Sequence, residues 1–355
     1  ASFVAVLFCG GLLPAFTSAS DRVPDDPSLP EASRLPTDPA GLVHALGDDS
    51  FAVREQASLA LIRLGVPAKP ALLAGLESDD AEVRFRCRRA LAVVLEAEFE
   101  ANLDRFSQGD DSGDVLPPGW AAFRDVAGDS SASRALFVAM QREEPALMLN
   151  WIETPEQLSD VLADRCQQIQ QQVFAPRGQE RRQIGIGSFA ALLFVASRDD
   201  VAIAERTSAY LHSFSYQQSF QQSIQRGPLV NPLRSLLGAW VARGAESQTK
   251  YQNFMLALQY DLREGLQPAL DALQSGSARP HVLQYALRVV GKFGGADAID
   301  DVVPYLDSDA VCGRQRVNNE EVRTEVRDVA LAVLVHLTDQ DHADLEVAVR
   351  RSLGR

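Results

Sequence analysis

The sequence predicts an all-α protein built from stacked antiparallel helical hairpins, an α-solenoid with an irregular middle. Three observations carry this expectation. A stretch with helical periodicity occurs twice, thirty residues apart. A unit of related sequence returns near the C-terminal end. Ala, Leu and Val dominate the apolar residues, and aromatics make up only 7% of the chain, a mix that lets helices approach closely.

The duplicated stretch reads DDSFAVREQASLALIRLG at residues 48–65 and SDDAEVRFRCRRALAVVL at residues 78–95. At the offset of thirty, Val53 meets Val83, Arg54 meets Arg84, Ala57 meets Cys87, Ala60 meets Ala90 and Leu61 meets Leu91. A short apolar stripe precedes each copy: Leu42, Val43 and Leu46 first, then Leu72, Leu73 and Leu76. Polar turns end both stripes, and a Ser or Asp there suits the N-cap of the helix that follows. Val53, Ala57, Leu61 and Leu64 then share one helical face, as do Val83, Cys87, Leu91 and Leu95. Gly65 closes the first hairpin and Pro67 opens the second.

The paired pattern Asp49-x3-Val53-Arg54-x2-Ala57 and Asp79-x3-Val83-Arg84-x2-Cys87 resembles HEAT repeats of the short bacterial type. The resemblance implies that Asp49, Arg54, Asp79 and Arg84 are structural and support the turn and the stacking of neighbouring hairpins. It also implies an exported repeat protein. Val326-Arg327-x2-Ala330 and Leu334 restate the motif, which makes it a theme of the whole chain.

The chain divides by composition. Residues 1–20 read as a secretory signal: an apolar run from Phe3 to Phe16, then the small residues Thr17-Ser18-Ala19-Ser20, with the start truncated. Residues 21–39, with five prolines among acidic and small polar residues, read as a linker. N-terminal HEAT-like repeats are expected over 40–106, a polar loop over 107–119, diverged helical repeats over 120–265 and C-terminal HEAT-like repeats over 266–355. Leu158, Val161, Leu162, Cys166, Ile169 and Val173 form a stripe whose glutamine-rich opposite face reads as solvated. Residues 184–226 read as two helices, 229–243 and 247–263 as two more, and Asp307 to Asn319 as a polar insertion.

Charge and motifs narrow the function classes. The net charge of −14 opposes nucleic acid and anionic membrane surfaces. With the signal segment and its Cys9 set aside, Cys87, Cys166 and Cys312 are too few and too far apart for a disulfide framework or a paired zinc site. Whether any two of them join as a disulfide stays open; each reads as a small buried hydrophobe. Gly185-Ile186-Gly187-Ser188-Phe189-Ala190, with Glu205 following, matches a dinucleotide fingerprint, but the polar residues before it do not read as a buried strand. The glycines are therefore expected to mark a helix entry. Arg84-Phe85-Arg86-Cys87-Arg88-Arg89 surrounds a thiol with cations, yet Cys87 aligns with Ala57, a packing position. Arg177, Arg181 and Arg182 form a second basic cluster that reads as a solvated loop. His44, His212, His281, His336 and His342 are scattered, and only the last two, six apart, have nearby acids. The 107–119 carboxylates lack EF-hand spacing.

The expectation is a non-catalytic scaffold of the periplasm or cell exterior that binds a protein or peptide on a helical face. No catalytic, cofactor or metal residue is assigned, and neither nucleic acid nor a stable membrane span is expected. The alternatives are an enzyme-associated or small-molecule-binding repeat protein, and a purely structural envelope component.

Overall fold

The computed structural model describes residues 35–109, 116–174, 183–244, 249–276, 278–317 and 320–340. The described residues hold seventeen α-helices and a single two-stranded sheet, so the protein is all-α in class. The stretches 1–20 and 21–34, the basic cluster at 177–182 and His342 lie outside the described residues. The chain forms two compact units, one ending at Arg105 and the other beginning at Phe106.

The first unit holds α1 (Pro39–Ala45), α2 (Phe51–Leu64), α3 (Lys69–Gly75) and most of α4 (Ala81–Ser107). Asp38 starts α1, its Oδ1 accepting from the Gly41 N–H at 2.7 Å. Leu42, Leu46, Ala57, Leu61, Leu72, Cys87, Ala90 and Val94 share one buried core. Positions thirty residues apart do the same work. Arg54 Nη1 donates to the Asp48 and Asp49 carbonyls at 2.7 and 3.0 Å. Arg84 Nη1 donates to the Ser78 and Asp79 carbonyls at 2.7 and 2.8 Å. Each guanidinium thereby pins the turn that precedes its own helix.

Asp49 and Asp79 take part in these bonds through their backbone carbonyls. The side-chain turn bonds come from their neighbours. Asp48 Oδ1 accepts from Ser50 N–H at 2.7 Å, Ser78 Oγ from Asp80 N–H at 3.2 Å, and Asp80 Oδ1 from Glu82 N–H at 2.8 Å. These Asx- and ST-type turns need an acceptor two residues before the donor, which selects Asp48 over Asp49.

The second unit is organised on a buried helix. Around it stand α5 (Trp120–Ala127), α6 (Ser131–Glu143), α7 (Pro145–Glu153) and α8 (Leu158–Val173). The central α9 (Ile186–Ala196) is buried at every position from Gly187 to Ala196, as expected of a helix that is apolar all round. Helices α6, α7 and α8 pack on it, and so do α10 (Glu205–Ser215), α11 (Gln218–Gln225) and α12 (Val230–Ala242). Residues 184–226 thus form three helices rather than two. The extra break is at Gln217, whose φ of −66° and ψ of 137° are extended; it re-aims α11 so that Phe220 and Ile224 are buried.

Gly187 sets the approach of α9 to α6. A Cβ there would stand 2.5 Å from the Ala139 carbonyl carbon, a backbone atom with no rotamer to move. Gly187→Ala is therefore expected to destabilise the second unit by about 1–3 kcal/mol, the usual cost of overpacking. Trp120, Trp151 and Trp240 are the only tryptophans and all lie in this unit, so urea unfolding followed by tryptophan fluorescence checks it. Gly185→Ala is also expected to cost stability, because its Cβ would displace the Glu143 carboxylate that accepts from the Gly187 and Ser188 N–H groups.

The last described helices alternate regularly: α13 (Lys250–Tyr260), α14 (Leu266–Gln274), α15 (Pro280–Phe293), α16 (Ile299–Val302) and α17 (Val326–Leu337). Odd helices pack on odd ones, α13 on α15 and α15 on α17. Even ones do likewise, α12 on α14 and α14 on α16.

The insertion at 307–319 is not a plain polar loop. It supplies β1 (Val311–Val317), which pairs antiparallel with β2 (Glu320–Glu325) in a register that sets Arg314 opposite Arg323 and Arg316 opposite Glu321. Glu321 lies 3.3 Å from Arg314 and 3.6 Å from Arg323 and offsets the facing cations. In the third motif copy Val326 and Ala330 are fully buried, but Arg327 pairs with Glu325 instead of turn carbonyls. Here the hairpin has replaced the turn that Arg54 and Arg84 pin.

Candidate interaction surfaces

The reactive-looking cysteine of the first unit is a core residue. Cys87 is fully buried, and burial pushes its thiol up to about 11. A Cβ on Gly75 would collide with its sulfur, so α3 and α4 touch there. The arginines around it face elsewhere. Arg86 donates to Glu55 and Glu82, both at 2.6 Å, while Arg89 lies over the Phe85 ring at 5.8 Å. Cys166 is also fully buried and pushed up to about 12, first by burial. The half-exposed Cys312 donates to the Thr324 carbonyl at 3.3 Å. All three thiols are free.

The glycine motif receives an anion that the chain itself supplies. Gly185 is the N-cap of α9, and the Glu143 carboxylate at the end of α6 accepts from the Gly187 and Ser188 N–H groups at 3.3 and 2.8 Å. The orphan donors of a helix start, and its positive dipole end, are satisfied in this way. Glu205 sits at the start of α10 rather than at the end of a strand. One residue beyond Glu143, the buried Glu144 takes two bonds of 2.7 Å from Arg165 of α8. That carboxylate is the largest cause raising the guanidinium's pKa.

The histidines have separate environments. His212 on α10 is 1% exposed, lies 4.8 Å from the Trp240 ring, and has no bond to either ring nitrogen. His336 is in the last turn of α17. Among the described residues no group of three His, Cys, Asp or Glu is placed to hold a metal, and no single helix is long and apolar enough to cross a membrane.

Two surfaces among the described residues have distinctive geometry. The first is an open groove of ≈ 500 Å³ in the first unit, lined by Val43, His44, Gly47, Ala74, Gly75 and Asp80 among others. It follows α1 and α3, whose small residues leave room between the helices.

The second surface is aromatic and lies in the second unit. The ring of Tyr251 on α13 meets His281 edge-to-face at 5.1 Å and Tyr285 at 6.2 Å, both on α15. Arg288, one turn further, lies over the Tyr285 ring at 5.3 Å. Tyr216, just past α10, is 45% exposed. Its hydroxyl is raised by burial first and then by Tyr251 and Tyr285, so it stays a protonated donor. Tyr251 and Tyr285 lie 34 positions apart in sequence, and the packing of α13 on α15 joins them.

Compared with known proteins, the sequence matches no family model, and no curated protein matches it significantly.

Proposed function

We propose that the chain is an exported HEAT-like helical-repeat protein, a non-enzymatic scaffold that binds a protein or peptide partner on the exposed face of its stacked helices. The observation that carries this reading is the alternation in the second unit, with α13, α15 and α17 in one row and α12, α14 and α16 in the other. Two rows of stacked helices are the geometry of an α-solenoid, and such a stack presents an extended face to a partner. The equivalent roles of Arg54 and Arg84 support the same repeat relationship in the first unit. Export to the periplasm or cell exterior rests on the apolar run and small residues of positions 3–20.

A second reading, small-molecule binding, is favoured by the open groove beside His44 and Asp80. Crosslinking with mass spectrometry on the protein in its native cells separates the two. The scaffold reading expects one partner recovered repeatedly with crosslinks confined to one helical face. No partner, together with stabilisation by metabolites that His44→Ala abolishes, would replace it with the second reading.

A further inference from the structure

The aromatic cluster of the second unit has features that general exposure does not explain. Contacts join Tyr251, His281, Tyr285 and Arg288; Lys250 precedes Tyr251 on α13, and Tyr251 and Tyr285 act electrostatically on Tyr216. The Tyr216, Tyr251 and Tyr285 hydroxyls have no hydrogen-bond partner among the described residues, and neither Lys250 nor Arg288 has an ion-pair partner there. A set of unspent donors and cations therefore sits on one aromatic surface.

The electrostatics of the neighbourhood depart from those of the chain. The protein carries 48 acidic residues and a net charge of −14. Yet α11, α12, α13 and α15 contain no Asp or Glu at all. Between Arg206 and Tyr260 the only acid is Glu246, against five cations. Asp261, one residue further, is spent on Lys292, so the unpaired cations of this region are free to attract an anionic group. Tyrosine and arginine are also the side chains that most often carry binding energy at protein contacts, with rigid rings that lose little entropy on binding. The Arg288 guanidinium lies over the Tyr285 ring at 5.3 Å, and its planar donor set suits a carboxylate.

We propose that the Tyr216–Tyr251–His281–Tyr285–Arg288 cluster is a docking site for an acidic segment of a partner protein. Carboxylates of the segment pair with Arg288 and Lys250, its backbone carbonyls accept from the tyrosine hydroxyls, and its chain lies across the rings. The site deepens the scaffold reading and rests on it.

The test uses the full chain and three fluorescein-labelled twelve-residue peptides, of Glu-Ala, Gln-Ala and Lys-Ala repeats, read by anisotropy. The Glu-Ala peptide is expected to bind at least tenfold more tightly than the other two, with affinity falling as salt rises. Arg288→Glu and Tyr251→Ala are each expected to weaken it about tenfold, with an unchanged tryptophan-detected unfolding midpoint showing that the unit is intact. Arg89→Glu, in the first unit, is expected to leave binding unchanged. Equal binding of the three peptides, no binding, or insensitivity to Arg288→Glu overturns the site. So does equal affinity for a single-stranded oligodeoxynucleotide, which would reduce it to bulk charge. Crosslinks from a native partner that fall away from the cluster overturn this site alone and leave the scaffold reading standing.

Discussion

Arg165→Met is expected to destabilise the second unit by roughly 3–5 kcal/mol, the cost of leaving one member of a buried ion pair alone. Glu144 is 4% exposed, and both of its oxygens are satisfied by the Arg165 guanidinium at 2.7 Å. The pair sits where α6 ends and α7 begins, against α8, so an unpaired carboxylate would disturb three helices at once. Urea unfolding read by tryptophan fluorescence reports on this unit alone, since all three tryptophans lie in it. The double variant Glu144→Met/Arg165→Met is expected to regain most of the loss, because removing both charges also removes the desolvation penalty. A single variant within about 0.5 kcal/mol of the parent, the range of an ordinary surface change, would show that the pair is dispensable.

Acid is expected to destabilise the same unit through His212, by roughly 3 kcal/mol when the pH has fallen to about 4. Burial lowers the imidazole from 6.5 to about 4 in the folded protein. The unfolded chain therefore binds the proton first. Stability from the neutral ring is complete above pH 6.5, declines as the pH falls from 6.5 towards 4, and declines no further below that. His212→Phe keeps a ring against Trp240 and cannot titrate. The difference in unfolding free energy between the parent and this variant isolates His212 from the carboxylates that also protonate in acid. A difference that stays constant from pH 7 to pH 4.5 would exclude the histidine as the cause.

The helical class was legible because it depends on local periodicity. The stripes at Val53, Ala57 and Leu61, and at Leu158, Leu162, Cys166 and Ile169, each point one face inward whatever surrounds them, and Ala57, Leu61 and Cys166 are fully buried. Arg54 and Arg84 were readable as turn supports for the same reason, since their partners lie five and six residues away. The sheet at 311–325 is not legible in the sequence because its strands, VCGRQRV and EEVRTE, lack a strict apolar alternation. Pairing with each other holds them, and neither segment announces that alone. Gln217 looked like part of one helix because nothing in its own chemistry forbids helical angles; the burial of Phe220 and Ile224 decides the break.

The interaction surfaces were the least legible part. Tyr251 and Tyr285 are ordinary residues in their own helices, Tyr216 caps a third, and no spacing rule links positions that far apart. A shortage of acids from 206 to 260 was the available signal, and it points to a region without naming a site.

The Val-Arg repeat, the capped turns, the buried stripes and the acidic total are properties of short segments, and the sequence by itself determined them. Tertiary structure alone decided that Glu143 fills the anion site at the start of α9, that Arg165 reaches Glu144, and that three tyrosines share a surface. The physical reason is range. Periodicity and capping act within one or two helical turns, whereas these contacts form only after helices far apart in sequence have packed together and excluded water between them.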